Sequence, residues 1–409
     1  MTGDTAGEVL DLGELGLDRG GHLLVARKLR ELGPGARLRV HGRAPALAVH
    51  LQAWARAQGH GFSPSTARDR HASPWAGSLT MGDAVGGRWR GAERAGHVDP
   101  RADGGVAEVP PDTWGLAARG ATVEAGGPRF GFSLGDKVEV WTDEAARLYA
   151  QAAAAQWDPD TAVDWDATFE LPPEVEDAVV QVMTYLIENE TAALIVPARF
   201  LAQIHPHFRE VMQVLAIQVA DEARHLEVFT RRARLKRDAL GLSTVGGQAS
   251  LKTLLDEPDF ALASFLLSVL GEGSFLSLLW FLEEHAPDPI TRAVAKLSAQ
   301  DEARHVAFGL AHLSRHGQQD PGLHDRLADA VLRRHDALLN TAGLNEEVFD
   351  ALILLAAGSW QPEAIAAGYD RVVALKQHMD HGRRTRLKRL GFTEARAEEL
   401  SRLHTRNFM

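Results

Sequence analysis

Apolar residues recur with helical spacing through Leu23-Leu24-Val25-Ala26-Arg27-Lys28-Leu29, and the pattern stops at Gly33-Pro34-Gly35. Polar and apolar positions then alternate in Ala36-Arg37-Leu38-Arg39-Val40, as along a half-buried strand. A second helical stretch, Ala44 to Gln58, ends at Gly59-His60-Gly61. Residues 1–62 are therefore predicted to form a small α/β unit. Over 63–140 periodicity is lost: Ser63-Pro64, Gly86-Gly87, Asp103-Gly104-Gly105, Pro110-Pro111 and Gly126-Gly127-Pro128 would break any helix. The scattered Trp75, Trp89, Trp114 and Phe130-Gly131-Phe132 argue against a purely solvated linker, so irregular structure with a few short strands, partly laid against the next domain, is expected there. From Asp143 the pattern is helical nearly to the end. The predicted class is α+β and multidomain, dominated by an all-α bundle over 141–325 with a helical extension over 326–409.

Within the helical region a single pentapeptide occurs twice. Asp221-Glu222-Ala223-Arg224-His225 returns as Asp301-Glu302-Ala303-Arg304-His305. Each copy continues an apolar-periodic segment, Met212 to Ala220 in one case and Ala293 to Ala299 in the other. Glu and His three residues apart project from one helix face, so each helix offers a carboxylate and an imidazole to a common point. Upstream of each copy lies another helix with an acid on its apolar face. Glu190 is in register with Met183, Leu186, Ile187 and Leu194, on a helix from Pro172 to about Leu201. Glu272 is in register with Phe265, Val269, Phe275, Leu276 and Leu279, on a helix from Asp259 to about His285. Glu188 faces Tyr185 and Thr191 instead and is the reserve for the first acid.

A carboxylate buried among leucines costs several kcal/mol unless it is compensated. Four of them converging with two histidines need positive charge, and no four lysines stand in register to supply it. Two divalent cations balance four glutamates, so Glu190, Glu222, His225, Glu272, Glu302 and His305 are the candidate metal ligands and catalytic centre. A duplicated Asp–Arg salt bridge on packed helices is the structural alternative for the repeat. Gly271 and Gly273 flank Glu272, each costing about 1 kcal/mol within a helix relative to alanine. They leave room for a pocket lined by Phe265, Phe275, Trp280 and Phe281, or for close helix packing.

The 409 residues contain no cysteine, which excludes disulfides, cysteine-ligated iron–sulfur clusters and thiol nucleophiles. Eighteen histidines are left as metal ligands, and the net charge of −11 offers no broad field for nucleic acid or anionic lipid. The longest apolar run, Phe260 to Leu270, is about half the ~20 residues of a membrane span, and the acidic start has no export signal. A cytoplasmic protein without membrane or nucleic-acid partners is expected. The run Arg383-Arg384-Thr385-Arg386-Leu387-Lys388-Arg389 is either a solvated helix face or a docking surface for an acidic carrier.

The segment from about 148 to 310 resembles the ferritin-like carboxylate di-iron superfamily, carried by the paired Glu and Glu-x-x-His motifs and by Trp157-Asp158-Pro159…Val163-Asp164-Trp165, which is similar to a lead-in found in several members. The resemblance implies that Glu190, Glu222 and His225 favour one metal and Glu272, Glu302 and His305 the other, with Glu222 and Glu302 bridging. Asp301 would orient His225, Asp221 would orient His305, and Arg224 and Arg304 would neutralise the aspartates. It also implies two Fe ions, with Mn/Fe admissible, and O2 as co-substrate. The radical tyrosine of reductase subunits falls on Phe229, leaving that radical without a host. What remains is an oxidase or monooxygenase acting on a small or carrier-bound organic substrate by hydroxylation, N-oxygenation or desaturation. Electrons would come from a separate reductase or ferredoxin, and a homodimer is compatible with this. Iron storage or metal sensing without catalysis is the alternative.

The first 62 residues resemble the TusA-like sulfur-carrier fold in Leu10-Asp11, the following helix, Leu38-Arg39-Val40, Trp54 and Gly59-His60. Arg19 holds the position of that family's cysteine, Gly20 and His22 those of its prolines, and His50 that of its acid. The resemblance thus implies a fold whose persulfide chemistry is gone, serving as a docking or regulatory appendage.

Overall fold

The computed structural model describes residues 8–32, 35–64, 75–80, 93–339 and 346–403. The chain divides into two units, Met1–Gly131 and Phe132–Met409. Gly33-Pro34, Gly86-Gly87, Trp89 and the closing residues from His404 lie outside the described residues.

In the first unit the order is β1 (Glu8–Asp11), α1 (Gly21–Leu32), β2 (Arg37–His41), α2 (Leu47–Ala57), β3 (Gly61–Ser63) and β4 (Trp75–Thr80). The sheet runs β1-β2-β4-β3. β1 and β2 are parallel, which requires the α1 crossover between them, and the other pairs are antiparallel. Val25 and Leu29 of α1, Leu38 and Val40 of β2, and Leu51 and Ala55 of α2 are sealed from solvent in its core. Residues 61–63 and 75–80 thus complete the sheet begun before them. Arg19 closes a turn of 3-10 helix, and Gly20 reverses the chain at φ 101°, which a side chain would strain. His22 Nδ1 donates to the Leu17 carbonyl at 2.9 Å. Farther on, β5 (Glu93–Arg94) and β6 (Thr122–Val123) form a short ribbon, and the described residues around them are mostly irregular.

The second unit begins at Phe132, so residues 132–140 join the helical region: the Leu134 amide donates to the Gln203 carbonyl and Val140 and Trp141 are buried. Its helices are α3 (Ala145–Ala154), α4 (Pro173–Leu201), α5 (Arg209–Ala233), α6 (Val245–Leu255), α7 (Phe260–His285), α8 (Pro289–Gln319), α9 (Leu323–Leu338), α10 (Glu346–Ala357), α11 (Pro362–Arg389) and α12 (Glu394–Arg402). Sequence chemistry sets several ends. Pro173 and Pro289 sit in first turns, where no N–H is missed. Asp259 accepts from the Leu262 amide and Asp288 from the Thr291 amide, capping α7 and α8.

α4 packs along α5, α7 along α8, and α5 against α8, giving a four-helix core that α3 flanks. α10 lies on α4, and α11 on α7. α4 and α7 are long and apolar enough to cross a membrane, yet 67% and 89% of their most apolar windows are buried inside the protein, so packing already uses those side chains. Arg232 of α5, fully buried, binds Glu176 of α4 at 2.6 and 3.0 Å and Asp288 at the start of α8 at 2.8 Å, tying three helices together.

Two further features depart from the sequence reading, besides the completed sheet and the placement of 132–140. α7 is not a plain α-helix: Phe265–Glu272 is π-helical between α-helical Phe260–Ser264 and Gly273–His285. All eight of those residues are buried, so apolar periodicity carries no trace of the change in pitch. Trp280 does not line a pocket; it is 53% exposed on the outer face of α7.

Candidate metal centre

Glu190 reaches the bundle interior from α4, Glu222 and His225 from α5, Glu272 from the end of the π-helical stretch of α7, and Glu302 and His305 from α8. All six are at most 4% exposed. They form two overlapping groups, Glu190–Glu222–His225–Glu302 and Glu222–Glu272–Glu302–His305, in each of which one ligand atom per residue lies within 4.8 Å of all the others. Glu222 and Glu302 belong to both. Glu188 is half-buried and in neither group.

The imidazoles face the centre through Nδ1. His225 Nδ1 is 3.0 Å from Glu222, 3.4 Å from Glu302 and 3.7 Å from Glu190. His305 Nδ1 is 3.1 Å from Glu222 and 3.4 Å from Glu302. Their outer nitrogens cross to the facing helix: His225 Nε2 is 3.1 Å from Asp301 and His305 Nε2 is 3.2 Å from Asp221. A carboxylate only accepts, so each Nε2 carries the proton and each Nδ1 can bind a cation.

Arg224 donates to both aspartates, at 2.5 Å to Asp221 and 2.9 Å to Asp301, whereas Arg304 reaches Asp301 alone. Sequence reasoning gave no role to three further side chains. Gln156 donates to Asp221 at 2.8 Å and accepts from Arg224 at 2.6 Å. Trp157 donates its indole N–H to Asp301 at 2.8 Å, with the Arg224 guanidinium over its ring. Gln218 donates to Glu272 at 2.9 Å. Gln218 precedes Glu222 and His225 by four and seven residues, a one-face spacing that could have singled it out.

Charge is badly balanced among these groups. Burial first, then Glu222 and Glu302, push the Glu190 carboxyl well above the usual range; burial and Glu302 do the same to Glu272. Burial also opposes ionising Glu222, but the neighbouring His305 and His225 overcome it and hold that carboxyl far below its ordinary value. His225 and His305, which burial alone would discharge, are raised well above theirs by the surrounding carboxylates. These opposed shifts mark more buried negative charge than the two imidazoles offset. Glu190 Oε1, Glu222 Oε1, Glu272 Oε2 and both Glu302 oxygens are buried without a hydrogen-bond partner. Unpaired buried acceptors are rare in folded proteins and call for an ion or water. Four carboxylates and two imidazoles are a hard oxygen–nitrogen set that suits iron or manganese.

The side chains expected to line a pocket, Trp280 apart, belong to the packed interior. Phe229 is fully buried with its ring 6.2 Å from that of His225, and Phe275 stacks obliquely at 5.8 Å on Tyr185. Phe265 opens the π-helical stretch and Gly271 lies within it, both buried. Gly273 leaves space for a side chain of this protein: a Cβ there would collide with the Arg386 guanidinium.

No family model and no curated protein matches the chain. Among solved structures it is similar to an R2-like ligand-binding oxidase with an aerobically reconstituted Mn/Fe cofactor (17% identity, TM-score 0.44, covering 61% of this chain and 94% of that one). It is also similar to another R2-like ligand-binding oxidase carrying an Fe/Fe cofactor (17%, 0.45, 61% and 94%). A protein with aldehyde deformylating oxidase activity from Synechococcus is similar at 18% identity and TM-score 0.41, over 56% of this chain and 96% of that one. Likeness at this level does not decide what the chain does; the convergence of four glutamates and two histidines bears on that.

Proposed function

We propose that this protein is a ferritin-like di-metal oxidase or monooxygenase that uses O2 on a small or carrier-bound organic substrate. The observation that carries this reading is the set of buried, unpartnered carboxylate oxygens on Glu190, Glu222, Glu272 and Glu302 facing Nδ1 of His225 and His305. Glu190, Glu222 and His225 would hold one metal and Glu272, Glu302 and His305 the other, with Glu222 and Glu302 shared. A bound Fe/Fe or Mn/Fe pair supplies reducing electrons and open coordination positions for O2.

The protein's own role is to orient and to insulate. Asp301 and Asp221 fix the imidazole tautomers, the facing histidines, against burial, hold both aspartates below the usual carboxylate range, and Arg224 donates to both. Gln218 holds one oxygen of Glu272 and leaves the other free. Phe229, Phe265 and Phe275 are buried in the same bundle and help to keep the interior dry. Phe229 also leaves the position four residues beyond His225 without a phenol to oxidise. Electrons would arrive from a separate reductase or ferredoxin. The first unit, with its βαβαββ order and Arg19 in place of a cysteine, fits a TusA-like appendage for docking or regulation.

The experiment is anaerobic loading of the full chain with Fe(II), followed by metal analysis and O2 consumption. About two irons per chain with O2 uptake proportional to bound iron supports an oxidase. Accumulation of many irons per chain once O2 is admitted with excess Fe(II) supports storage instead.

A further inference from the structure

The basic run near the C-terminus of α11 divides: Lys388 and Arg389 are exposed, as on a solvated face, and other members are drawn into contacts. Arg384 and Lys388 both pair with Glu394, at 2.7 and 2.8 Å. Arg383 and Arg386 turn inward instead, and neither has a carboxylate in contact. Arg383 is 3% exposed and sits between the Ser274 and Ser401 hydroxyls. Arg386 passes over the bare backbone of Gly273 and donates from Nε to the Val269 carbonyl at 2.6 Å, with its Nη2 buried and unpaired. Burial pushes the Arg386 guanidinium down to about 9 and that of Arg383 to about 10. Arg386 is only partly exposed and has no anion beside it among the described residues, a cost that needs a structural return.

The return lies at the turn that carries Glu272. Val269 and Glu272 both belong to the π-helical stretch, and Gly273 begins the α-helix after it. π-Helical turns are rare inside α-helices and are frequent at functional sites. Here α8 presses on one side, since a Cβ at Gly309 would come within 2.6 Å of the Ser268 side chain. Arg386 holds the other side through Val269, and the Ser274 hydroxyl closes on Leu270 at 2.7 Å. Relaxation of the stretch to α-helical pitch would swing Glu272 around the axis by as much as one residue, ~100°.

We propose that Arg386 is a positioning residue for Glu272: its bond to the Val269 carbonyl, admitted by Gly273, fixes the π-helical turn that aims Glu272 at the metal centre. This rests on the di-metal reading for its consequence but not for its structural half. The clamp predicts an asymmetry, because Glu190 and His225 stand on α4 and α5, which Arg386 does not touch.

The test uses the full chain carrying Arg386→Met, Arg386→Lys or Gly273→Ala, with two readouts. Amide hydrogen exchange without metal should rise at least 10-fold over 266–274 in Arg386→Met and in Gly273→Ala, and little over 276–285. In Co(II) titrations followed by visible absorption, the first equivalent should bind as in wild type and the second at least 10-fold more weakly, with Arg386→Lys in between. The double variant Gly273→Ala/Arg386→Met should be no worse than either single one, since both remove the same contact. Unchanged exchange over 266–274 together with two wild-type equivalents in Arg386→Met would overturn the proposal. If wild type itself binds no Co(II), the di-metal reading fails, and the exchange data alone decide whether the clamp exists. If Arg386→Met does not fold, Gly273→Ala carries the same comparison.

Discussion

His225 Nε2 lies 3.1 Å from Asp301 Oδ2 on the facing helix, and the same relation is repeated in mirror fashion by His305 and Asp221 at 3.2 Å. Each pentapeptide therefore places a glutamate and a histidine at the candidate centre and an acid against the other copy's histidine. This interlock explains why Asp, Glu and His recur together: none of the three works without the opposite helix.

Asp301→Asn keeps the shape of the side chain but removes the charge that fixes the His225 tautomer. Metal affinity should fall about 10–100-fold, with one of two equivalents affected first. Asp221→Asn should act likewise on the equivalent bound by His305. Isothermal titration with Co(II) or Mn(II) reads both. Equal affinities in wild type and both variants would show that the aspartates only tie helices together.

Removing the guanidinium in Arg232→Met leaves Glu176 and Asp288 buried without their cation. Loss of one partner from such a buried cluster costs about 3–5 kcal/mol. The neighbouring Arg231→Met breaks a partly exposed pair with Asp160 and a stack on the Trp165 ring, and should cost under ~2 kcal/mol. Urea unfolding of the two variants separates them. Similar midpoints would mean that α4, α5 and α8 hold together without the clamp.

His312 is fully buried on α8 against Phe260 and Phe308, and burial, then the neighbouring His316, lower its pKa to about 3. The unfolded chain binds a proton there near the ordinary value of 6.5 while the folded one does not, so stability is complete above 6.5 and falls as the pH drops toward 3. The loss is on the order of 1.4 kcal/mol per pH unit. His312→Leu should flatten that stretch of the stability profile. An unchanged acid slope would assign it to other groups.

The repeat and the apolar register of Glu190 were legible because each follows from spacing along one helix or from a duplication, whereas the exchange of aspartates between helices came from the family resemblance. The π-helical turn was not, since a wholly buried stretch keeps its apolar character in either pitch. Gly273 illustrates the gap: its missing side chain signals a close approach, but only the fold shows that the approaching group is Arg386, 113 positions away in the numbering. Trp157 and Gln156 bind the aspartates from the segment that follows α3, and nothing local in that segment says which acids they meet. A few short strands were expected after residue 62, but not that β3 and β4 extend the sheet of β1 and β2, since both are short strands among glycines and serines.

Two metals sharing one carboxylate-rich centre are tested most directly by the metal content of anaerobically Fe(II)-loaded chain, wild type beside Glu222→Ala/Glu302→Ala. About two irons per wild-type chain, falling close to none when the two shared glutamates are gone, is the predicted result. Wild-type protein that retains no iron, or iron content indifferent to the loss of both glutamates, would contradict it.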